Sequence, residues 1–555
     1  MRQYHLVIVS VTINVLFFLL YIFFGIVQHG SLDDYFMSGV LTGAYGSSYD
    51  VHTFFVNSAY GYFLRPFYWL FPQVGWYFIF ELIGTFTAFI SICFVLIKKM
   101  GTRWGVPLSL LILAALAPDF YFQISFTQCA TLYTAAGMLL FVAGDSSKNK
   151  KLLIGGGILF IAGSVMRWEC FLLGLPFIGV LLASNIYNRK TLWKVSVVAL
   201  GIILITIAGL KTHEKNLYTQ EDYQYYADYQ SVRAFLGDGA FYDFESTYDE
   251  LEERGMSGKD FRLLKRWMMY DTEKFCIDSL RPVVNVCLRN KYAPNWERMP
   301  IAFLMAVSVA LTRANGWCWV IFCILLMLTT NKKANWYPWV SLSLIAISLA
   351  YLLLVNRLVY RVETGVWLYG IVGAIPFLPR NFAWKNNIRF QKAFVSVMCV
   401  VVPIFAIWTM SSQELKTQWK LIETKEMTPD WSSFVEHVQR HPNQVFLLPF
   451  DRYKQLGTLK DKPYKSVTPG SWQNIIPLGY WNIHLPAMKS ELAKRGVLNP
   501  IKDIVKPNVF VVGDKDVLSL PDYYLRHYDK SLIVDTVSTF GKICLLKYRI
   551  AETVK

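Results

Sequence analysis

A series of long apolar runs most constrains what this chain can fold into. A helix needs about 20 mostly apolar residues to cross a bilayer, and about eleven runs in the sequence approach that length. The first run is longer than the core of a signal peptide, and no small-residue cleavage site follows it, so we interpret it as a membrane anchor. The predicted spans are Leu6–Val27, Gly75–Ile97, Gly105–Pro118, Phe126–Gly144, Leu152–Met166, Trp168–Tyr187, Val195–Leu210, Trp317–Thr330, Trp336–Leu354, Val366–Leu378 and Ala393–Met410.

The composition of the whole chain supports this interpretation. Hydrophobic residues make up 54% and charged residues 17% of the 555 residues, whereas a soluble protein of this size needs more charge to cover its surface. The sequence therefore predicts a mainly α, polytopic membrane protein. The apolar run Ile301–Thr312 is too short to count as a span, and it is either an interfacial helix or the start of the next span.

Basic residues cluster in every second short loop between the predicted spans. Loops rich in Lys and Arg stay on the cytoplasmic side of a membrane, so the alternation predicts a cytoplasmic N-terminus and an odd number of crossings. It also explains much of the formal net charge of +16 without nucleic-acid binding. The clusters are Lys98, Lys99 and Arg103; Lys148, Lys150 and Lys151; Arg189, Lys190 and Lys194; Lys332 and Lys333; and Arg380, Lys385, Arg389 and Lys392.

The large polar parts of the chain then fall on the outer side. They are two loops, residues 28–74 and 211–300, a short loop around Asn356–Gly365, and the tail after Ser411. The cytoplasmic loops are too short for an ATP-binding domain, and the phosphate-binding pattern GxxxxGK followed by Ser or Thr is absent. The sequence has no Asn-x-Ser/Thr sequon, which favours a bacterial chain. We therefore expect a multi-pass protein of the bacterial inner (cytoplasmic) membrane.

The tail, residues 411–555, is predicted to form a small α/β domain outside the membrane, attached to a transmembrane part of residues 1–410. Apolar runs of strand length and a hairpin pattern indicate its sheet. In the long outer loop, Ser257 and Asp260 form a capping-box pattern that predicts a helix through Tyr270. The predicted tail elements are strands at Val445–Phe450 and Asn508–Val512, a hairpin at Ser531–Arg549 that turns at Phe540–Lys542, and helices at Trp431–Gln439 and Ala487–Arg495.

Two adjacent carboxylates, Asp33 and Asp34, follow the first predicted span directly. Such a pair at the membrane surface can supply a general base, because one carboxylate can raise the pKa of its neighbour. It can also help to hold a divalent cation such as Mg²⁺ or Mn²⁺. The alternative is a solvated helix cap for the segment from Tyr35 onward, since Asp is common at helix starts.

The same outer loop continues with polar residues among aromatic ones. Aromatic rings suit the faces of sugars, and hydroxyl or amide groups suit their edges. Four residues of the loop are therefore candidate contacts of a saccharide: His52, Asn57, Tyr60 and Arg65. An interfacial aromatic belt is the alternative, and it explains the rings but not the His, Asn and Arg side chains.

These features together resemble the GT-C superfamily of membrane glycosyltransferases. The shared features are an acidic pair after the first span, a long outer first loop with a His and aromatics, a similar number of spans, and a soluble outer C-terminal domain. The resemblance covers the architecture of the whole chain, and its one sharp motif is Asp33-Asp34. It implies an enzyme that moves a sugar from a polyprenyl-phosphate carrier to a saccharide, lipid or protein acceptor on the outer face. Either Asp33 or Asp34 would be its catalytic carboxylate, with no certain cofactor.

The leaving phosphate of such a donor needs cationic partners, preferably Arg, which bonds two oxygens at once. Candidates for substrate contact are Arg167 with its neighbour Glu169, between two apolar runs, and Arg357 with Arg361, which share one face if their segment is helical. Ionisable residues in apolar surroundings favour a functional role. The alternative is internal ion pairing, of Arg167 with Glu169 or of Arg361 with Glu363.

Two other functions fit the sequence less well. A transporter or flippase of a lipid-linked saccharide usually carries internal repeats and mid-membrane charges, whereas this chain has no visible repeat and few charges within its spans. A polysaccharide polymerase or ligase also acts on lipid-linked sugars, but depends on Arg and His more than on Asp. Glu81, a lone acid inside the second predicted span, either hydrogen-bonds within the helix bundle or lines a cavity.

Overall fold

The chain is mainly helical, with one small sheet near its C-terminal end. This architecture confirms the predicted class, a polytopic α-helical protein with a small α/β domain after the last span. The structure is a computed structural model, and it describes residues 2–25, 27–239, 244–289, 299–328, 335–355, 357–379, 388–411, 428–458, 463–513 and 520–551.

The helices before the sheet domain include long apolar ones and shorter ones in the outer loops. A π-helical turn, Phe235–Gly239, and a 3₁₀ turn, Ile375–Phe377, extend two of them. In chain order they are α1 (Arg2–Phe24), α2 (Leu32–Leu41), α3 (Ser58–Leu70), α4 (Trp76–Met100), α5 (Thr102–Phe122), α6 (Phe126–Ser147), α7 (Lys150–Met166), α8 (Trp168–Arg189), α9 (Lys194–Leu217), α10 (Glu221–Ala234), α11 (Phe244–Glu252), α12 (Gly258–Lys265), α13 (Ile277–Arg289), α14 (Met299–Leu311), α15 (Ala314–Met327), α16 (Tyr337–Leu354), α17 (Tyr360–Ala374) and α18 (Ile388–Met410).

Each of the eleven predicted spans overlaps one of these helices. In the described residues, eight helices are long and apolar enough to cross a membrane, namely α1, α4, α5, α6, α8, α9, α16 and α18. Helices α7 and α17, also predicted as spans, have 17 and 15 residues. The apolar run Ile301–Thr312 forms most of α14, which is bent by 85° from α15, and the pair counts as a ninth crossing if taken together.

Helices α6 and α7 pack closely because glycines line their contact. A Cβ added to Gly137 would lie 2.8 Å from the carbonyl oxygen of Gly156, and one added to Gly156 would lie 2.8 Å from that of Gly137. Small residues let helix backbones approach each other in this way. The packing places the start of α6, at Phe126, beside the turn between α7 and α8, where Arg167 lies.

The C-terminal region forms a five-stranded mixed sheet with helices around it. The order of the strands is β2-β1-β3-β5-β4; β1 pairs in parallel with β2 and β3, and β5 pairs antiparallel with β3 and β4. The predicted hairpin, helices and second strand of the tail are confirmed, whereas the strand predicted at Val445–Phe450 ends at Leu448 because a helix begins at Phe450. The elements are α19 (Thr428–Arg440), β1 (Val445–Leu448), α20 (Phe450–Thr458), β2 (Ile475–Pro477), α21 (Pro486–Lys494), β3 (Val509–Val512), α22 (Leu520–Tyr528), β4 (Leu532–Phe540) and β5 (Ile543–Ile550).

Some sequence-based expectations need correction or fall outside the described residues. The capping box of Ser257 and Asp260 is present, but α12 ends at Lys265 and does not reach Tyr270. The helix stops because the chain turns through Trp267, with a left-handed φ of +63°, and the next backbone groups bond to the sheet domain. Three stretches on which predictions fall lie outside the described residues. They are residues 412–427, which follow the predicted domain boundary at residue 410, and the basic residues Lys332–Lys333 and Arg380–Lys385.

The sheet domain is joined to the first outer loop at two places by backbone hydrogen bonds. Just after α2, the Gly470 and Trp472 N–H groups donate to the carbonyls of Gly43 and Ala44, at 2.9 and 2.7 Å. Near the end of the loop, the Gly75 N–H donates to the Tyr464 carbonyl at 2.7 Å. Because buried backbone bonds of this kind are costly to break, the sheet domain forms a fixed wall against the loop that carries the acidic pair.

Candidate active site

The acidic pair lies in the first turn of α2, directly after the first span. Ser31 is the N-cap of this helix, and its hydroxyl oxygen accepts from the Asp33 N–H at 3.1 Å. Negative charge is favourable in this position because the N-terminus of a helix carries partial positive charge. The two carboxylates nevertheless point into different surroundings, and the alternative of a solvated cap is wrong for Asp34, which is completely buried.

Asp34 is held by donors from two of the long helices. One of its oxygens, Oδ1, accepts from the Tyr77 hydroxyl of α4 at 2.9 Å and from the Phe126 N–H, at the start of α6, at 3.2 Å. No hydrogen-bond donor in the described part of the chain reaches its other oxygen. Burial raises the pKa of Asp34 to about 8, against the opposing effect of these donors. Asp34 is therefore mostly protonated at neutral pH.

Asp34 also belongs to a buried cluster of three ionisable side chains. His29, Asp34 and Glu81 each offer a ligand atom, and these atoms lie within 4.8 Å of one another. Nδ1 of His29 is 3.4 Å from Oε2 of Glu81. An imidazole nitrogen and two carboxylates suit a divalent transition ion such as Mn²⁺. Of the two carboxylates predicted to hold a cation, only Asp34 belongs to this cluster. Asp33 contacts Tyr480 and Arg361 instead. Glu81, for which two roles were open, packs within the bundle beside Asp34.

Asp33 is the more accessible carboxylate of the pair. Its Oδ1 accepts from the Tyr480 hydroxyl of the sheet domain. Its Oδ2 accepts from the Ser31 hydroxyl at 3.1 Å and lies 3.9 Å from Nη2 of Arg361. The side chain of Asp33 is 18% exposed and that of Arg361 is 33% exposed. A carboxylate and a guanidinium thus meet at a place that solvent, or a substrate, can reach.

Two of the three arginines predicted to contact phosphate, Arg167 and Arg361, lie on the same side of the bundle. Arg361 is in the first turn of α17, where the helix dipole disfavours a cation, so helix stability does not explain it. Arg167 donates from Nη1 to the Thr127 hydroxyl at 2.7 Å, and its guanidinium lies 5.0 Å from the centre of the Phe126 ring. Thr127 lies one helical turn before Thr131 on α6, and Thr131 packs against Gly365, one turn after Arg361 on α17, so the two arginines belong to neighbouring parts of the bundle.

The predicted internal ion pairs are present only in part. Nε of Arg167 lies 3.6 Å from Oε2 of Glu169, whose side chain is 73% exposed, so this pair is weak. Glu363 pairs with Arg313 at 2.7 Å, whereas the described ion pair of Arg361 is with Asp33. The alternative that paired Arg361 with Glu363 is therefore wrong. Arg357 lies before α17 and is exposed.

The four polar residues of the first outer loop take separate places. His52 bonds through Nδ1 to Asp50 at 2.6 Å and stacks on Tyr223 at 3.4 Å between ring centres. Asn57 is the N-cap of α3 and accepts from the Ala59 N–H, whereas Arg65 is exposed. The Tyr60 hydroxyl donates to the backbone of Tyr77, the residue that holds Asp34. The predicted sugar contact of these four residues stays a prediction.

Sequence reasoning missed Tyr480, Tyr77 and His29. The signal for Tyr480 is the segment Gly479–His484, in which the aromatic Tyr480 and Trp481 stand next to the polar Asn482 and His484. His29 and Tyr77 stand at the ends of apolar runs and carry no motif. Their part in the site follows from helix packing alone.

Comparison with solved structures finds two that are distantly similar to this chain. Two solved structures are similar to this chain over 98% of its length and 98% of theirs. They are ArnT from Cupriavidus metallidurans in the apo state, 12% identical with a TM-score of 0.39, and the same protein bound to undecaprenyl phosphate, 11% identical with a TM-score of 0.39. No protein-family profile matches the sequence, and no curated protein is significantly similar to it. Similarity at this level leaves the function to be inferred from the site itself.

Proposed function

We propose that this protein is an integral membrane glycosyltransferase that moves a sugar from a polyprenyl-phosphate carrier to a saccharide, lipid or protein acceptor of the cell envelope. The observation that carries the proposal is the Asp33 carboxylate, partly exposed and 3.9 Å from the Arg361 guanidinium. One group can take a proton from an acceptor hydroxyl, and the other can bind a leaving phosphate. The donor class is the one that the resemblance to GT-C enzymes implies.

Asp33 fits the role of general base better than Asp34. A base must reach the proton that it removes, within hydrogen-bond distance of the substrate. Asp33 is partly exposed, whereas Asp34 is completely buried and mostly protonated at neutral pH. Asp34 therefore acts as a neutral, structural neighbour of the base when no cation is bound.

The proposed reaction is a direct displacement at the anomeric carbon. Asp33 accepts the proton of the acceptor hydroxyl as its oxygen forms the new glycosidic bond, and the bond from the anomeric carbon to the carrier phosphate breaks. Arg361, with Arg167 on the same side, stabilises the negative charge of the departing polyprenyl phosphate. A single displacement of this kind inverts the anomeric centre.

A divalent cation fits the buried cluster, although the reaction above does not require one. His29, Asp34 and Glu81 would hold it, because Oδ2 of Asp34 and both carboxylate oxygens of Glu81 are buried and have no hydrogen-bond partner among the described residues. When bound, such an ion would supply a fixed positive charge beside Asp34. Asp33 would keep its contacts with Tyr480 and Arg361.

We also propose that the acidic pair and the sheet domain face the outer side of the bacterial inner membrane. In a chain whose exposed or half-buried Cys276, Cys399 and Cys544 are replaced by Ser, a Lys530→Cys variant should react with a membrane-impermeant maleimide in intact cells. A Lys190→Cys variant should react only after permeabilisation. Both lysines are exposed, so accessibility within the fold is matched. The reverse labelling pattern would contradict the orientation.

The transfer reaction can be tested directly with the purified chain. Incubated with a panel of polyprenyl-phosphate sugars and an envelope extract as acceptor, the chain should release polyprenyl phosphate. Arg361→Gln should weaken donor binding at least about 10-fold, as expected for the loss of a hydrogen bond to a charged group. Arg440→Gln removes a 75% exposed arginine of the sheet domain and serves as the matched control. Movement of lipid-linked saccharide across liposomes without release would instead indicate a flippase.

A further inference from the structure

The contact between Tyr480 and Asp33 joins the sheet domain to the acidic pair. The two residues are 447 positions apart in the sequence. We infer that the C-terminal sheet domain is part of the catalytic unit, and that Tyr480 is a positioning residue that orients the Asp33 carboxylate. The inference rests on the proposed function, and it assigns a role to the domain whose purpose the sequence leaves open.

The Tyr480 side chain is fixed by aromatic packing. Its ring lies 5.4 Å from that of Phe36 on α2, 5.2 Å from that of Phe450 and 5.9 Å from that of Trp267. Tyr480 is 6% exposed. Burial and the nearby Asp33 raise the pKa of Tyr480, so its hydroxyl stays protonated and remains a donor. The donor is therefore held in one place and in one protonation state.

The backbone around Tyr480 is strained in the manner of a functional segment. Tyr480 has a φ of +98° and Trp267, which faces it, has a φ of +63°. Residues other than glycine are rarely left-handed, and such conformations persist only where the surroundings enforce them. Gly479 contributes to this arrangement, since a Cβ added there would lie 1.0 Å from the Trp267 carbonyl oxygen. The strained turn directs the Tyr480 hydroxyl toward the Asp33 carboxylate.

The sheet domain that carries Tyr480 is attached to the first outer loop at several points. The backbone hydrogen bonds described above, donated by Gly470 and Trp472 and accepted by Tyr464, fix the domain to the first outer loop. A buried hydrogen bond from the Tyr453 hydroxyl to that of Tyr45, at 2.9 Å, adds a side-chain connection in the same wall. Tyr480 thus belongs to the resting site.

The consequence for the reaction is a choice between the two oxygens of Asp33. Because the Tyr480 hydroxyl occupies Oδ1, the acceptor proton goes to Oδ2, the oxygen that lies 3.9 Å from Arg361. The Ser31 hydroxyl also reaches Oδ2, but a serine hydroxyl can rotate to another partner. Proton acceptance and phosphate binding are then kept adjacent, because Tyr480 prevents the carboxylate from turning.

The test is a Tyr480→Phe variant, which keeps the ring and removes the donor. We expect kcat to fall at least 10-fold while the KM for the donor changes less than 2-fold, because the carboxylate is misoriented but Arg361 is intact. Tyr524→Phe is the matched control, since it removes a buried hydroxyl of the sheet domain that donates to the Lys502 carbonyl and does not touch Asp33. Both variants are assayed well below the lower of their apparent melting temperatures, so that a loss of stability does not lower kcat.

Two outcomes separate this inference from the proposed function. If Asp33→Asn abolishes transfer and Tyr480→Phe keeps the kcat of the unmodified chain, Tyr480 does not position the base and only the inference fails. If Asp33→Asn keeps full transfer, the base itself is wrongly assigned. A further check combines Tyr480→Phe with Asp33→Asn in single-turnover measurements, where the tyrosine change should have no added effect. A multiplied loss in the double variant would overturn the positioning role.

Discussion

Asp33→Asn should reduce sugar transfer by about 10²- to 10⁴-fold, the contribution that a positioned general base makes. The amide has the shape of the carboxylate and can keep the hydrogen bond from Tyr480, but it cannot take the acceptor proton. Donor binding should be nearly unchanged, because Arg361 and Arg167 remain. The measurement is the release of polyprenyl phosphate from a lipid-linked sugar by the purified variant, with donor affinity measured separately.

The matched control for this substitution is Asp228→Asn. Asp228 is an exposed aspartate of the long outer loop, so the change in charge is the same and the site is untouched. Full transfer by the Asp33→Asn chain would rule out Asp33 as the base. Equal losses in both variants would show that the assay responds to net charge and not to the site.

Asp34→Asn should instead make the protein more stable in alkaline solution. The pKa of Asp34 rises from its usual value of 3.8 to about 8 in the folded chain, because the carboxyl group is buried. Between these pH values the Asp34 carboxyl group is ionised in the unfolded chain but protonated in the folded chain. The free energy of unfolding therefore falls as the pH rises from about 4 to about 8. At about 1.4 kcal/mol for each pKa unit, the full penalty is on the order of 5 kcal/mol. Asn carries no such penalty.

The measurement is the apparent melting temperature in detergent at pH 5 and pH 9. The advantage of Asp34→Asn over the unmodified chain should be small at pH 5 and largest at pH 9, and Asp228→Asn should show no such trend. If Asp34→Asn instead has a lower melting temperature than the unmodified chain at pH 9, a cation is bound in the cluster of His29, Asp34 and Glu81. In that case Mn²⁺ would raise the melting temperature of the unmodified chain, a chelator would lower it, and Asp34→Asn would lose both responses.

The transmembrane part illustrates what local sequence can predict. The length of an apolar run is a property of neighbouring residues, so all eleven predicted spans overlap helices. The strands of the tail were predictable for the same reason, because a run such as Val509–Val512 has the length and composition of a buried strand. The run Ile301–Thr312 was ambiguous, because nothing in its composition determines the 85° bend that separates α14 from α15.

The candidate site was predictable where charge stands out against apolar surroundings. Asp33, Asp34, Arg167 and Arg361 were found in this way, since each is an ionisable group next to a predicted span. The same reasoning could not separate Asp33 from Asp34. Adjacent residues on a helix point about 100° apart, and only the packing of α4 and α6 against α2 decides that Asp34 is buried while Asp33 reaches Arg361.

The sequence by itself determined the helices, the small sheet domain and the acidic and basic residues next to the spans, because apolar length and local charge are short-range properties. The tertiary structure alone decided which of these groups meet. Tyr480 reaches Asp33 across 447 residues, and His29 and Glu81 enclose Asp34 from different segments. Such contacts depend on how whole helices and the sheet domain pack, and no local pattern encodes that arrangement.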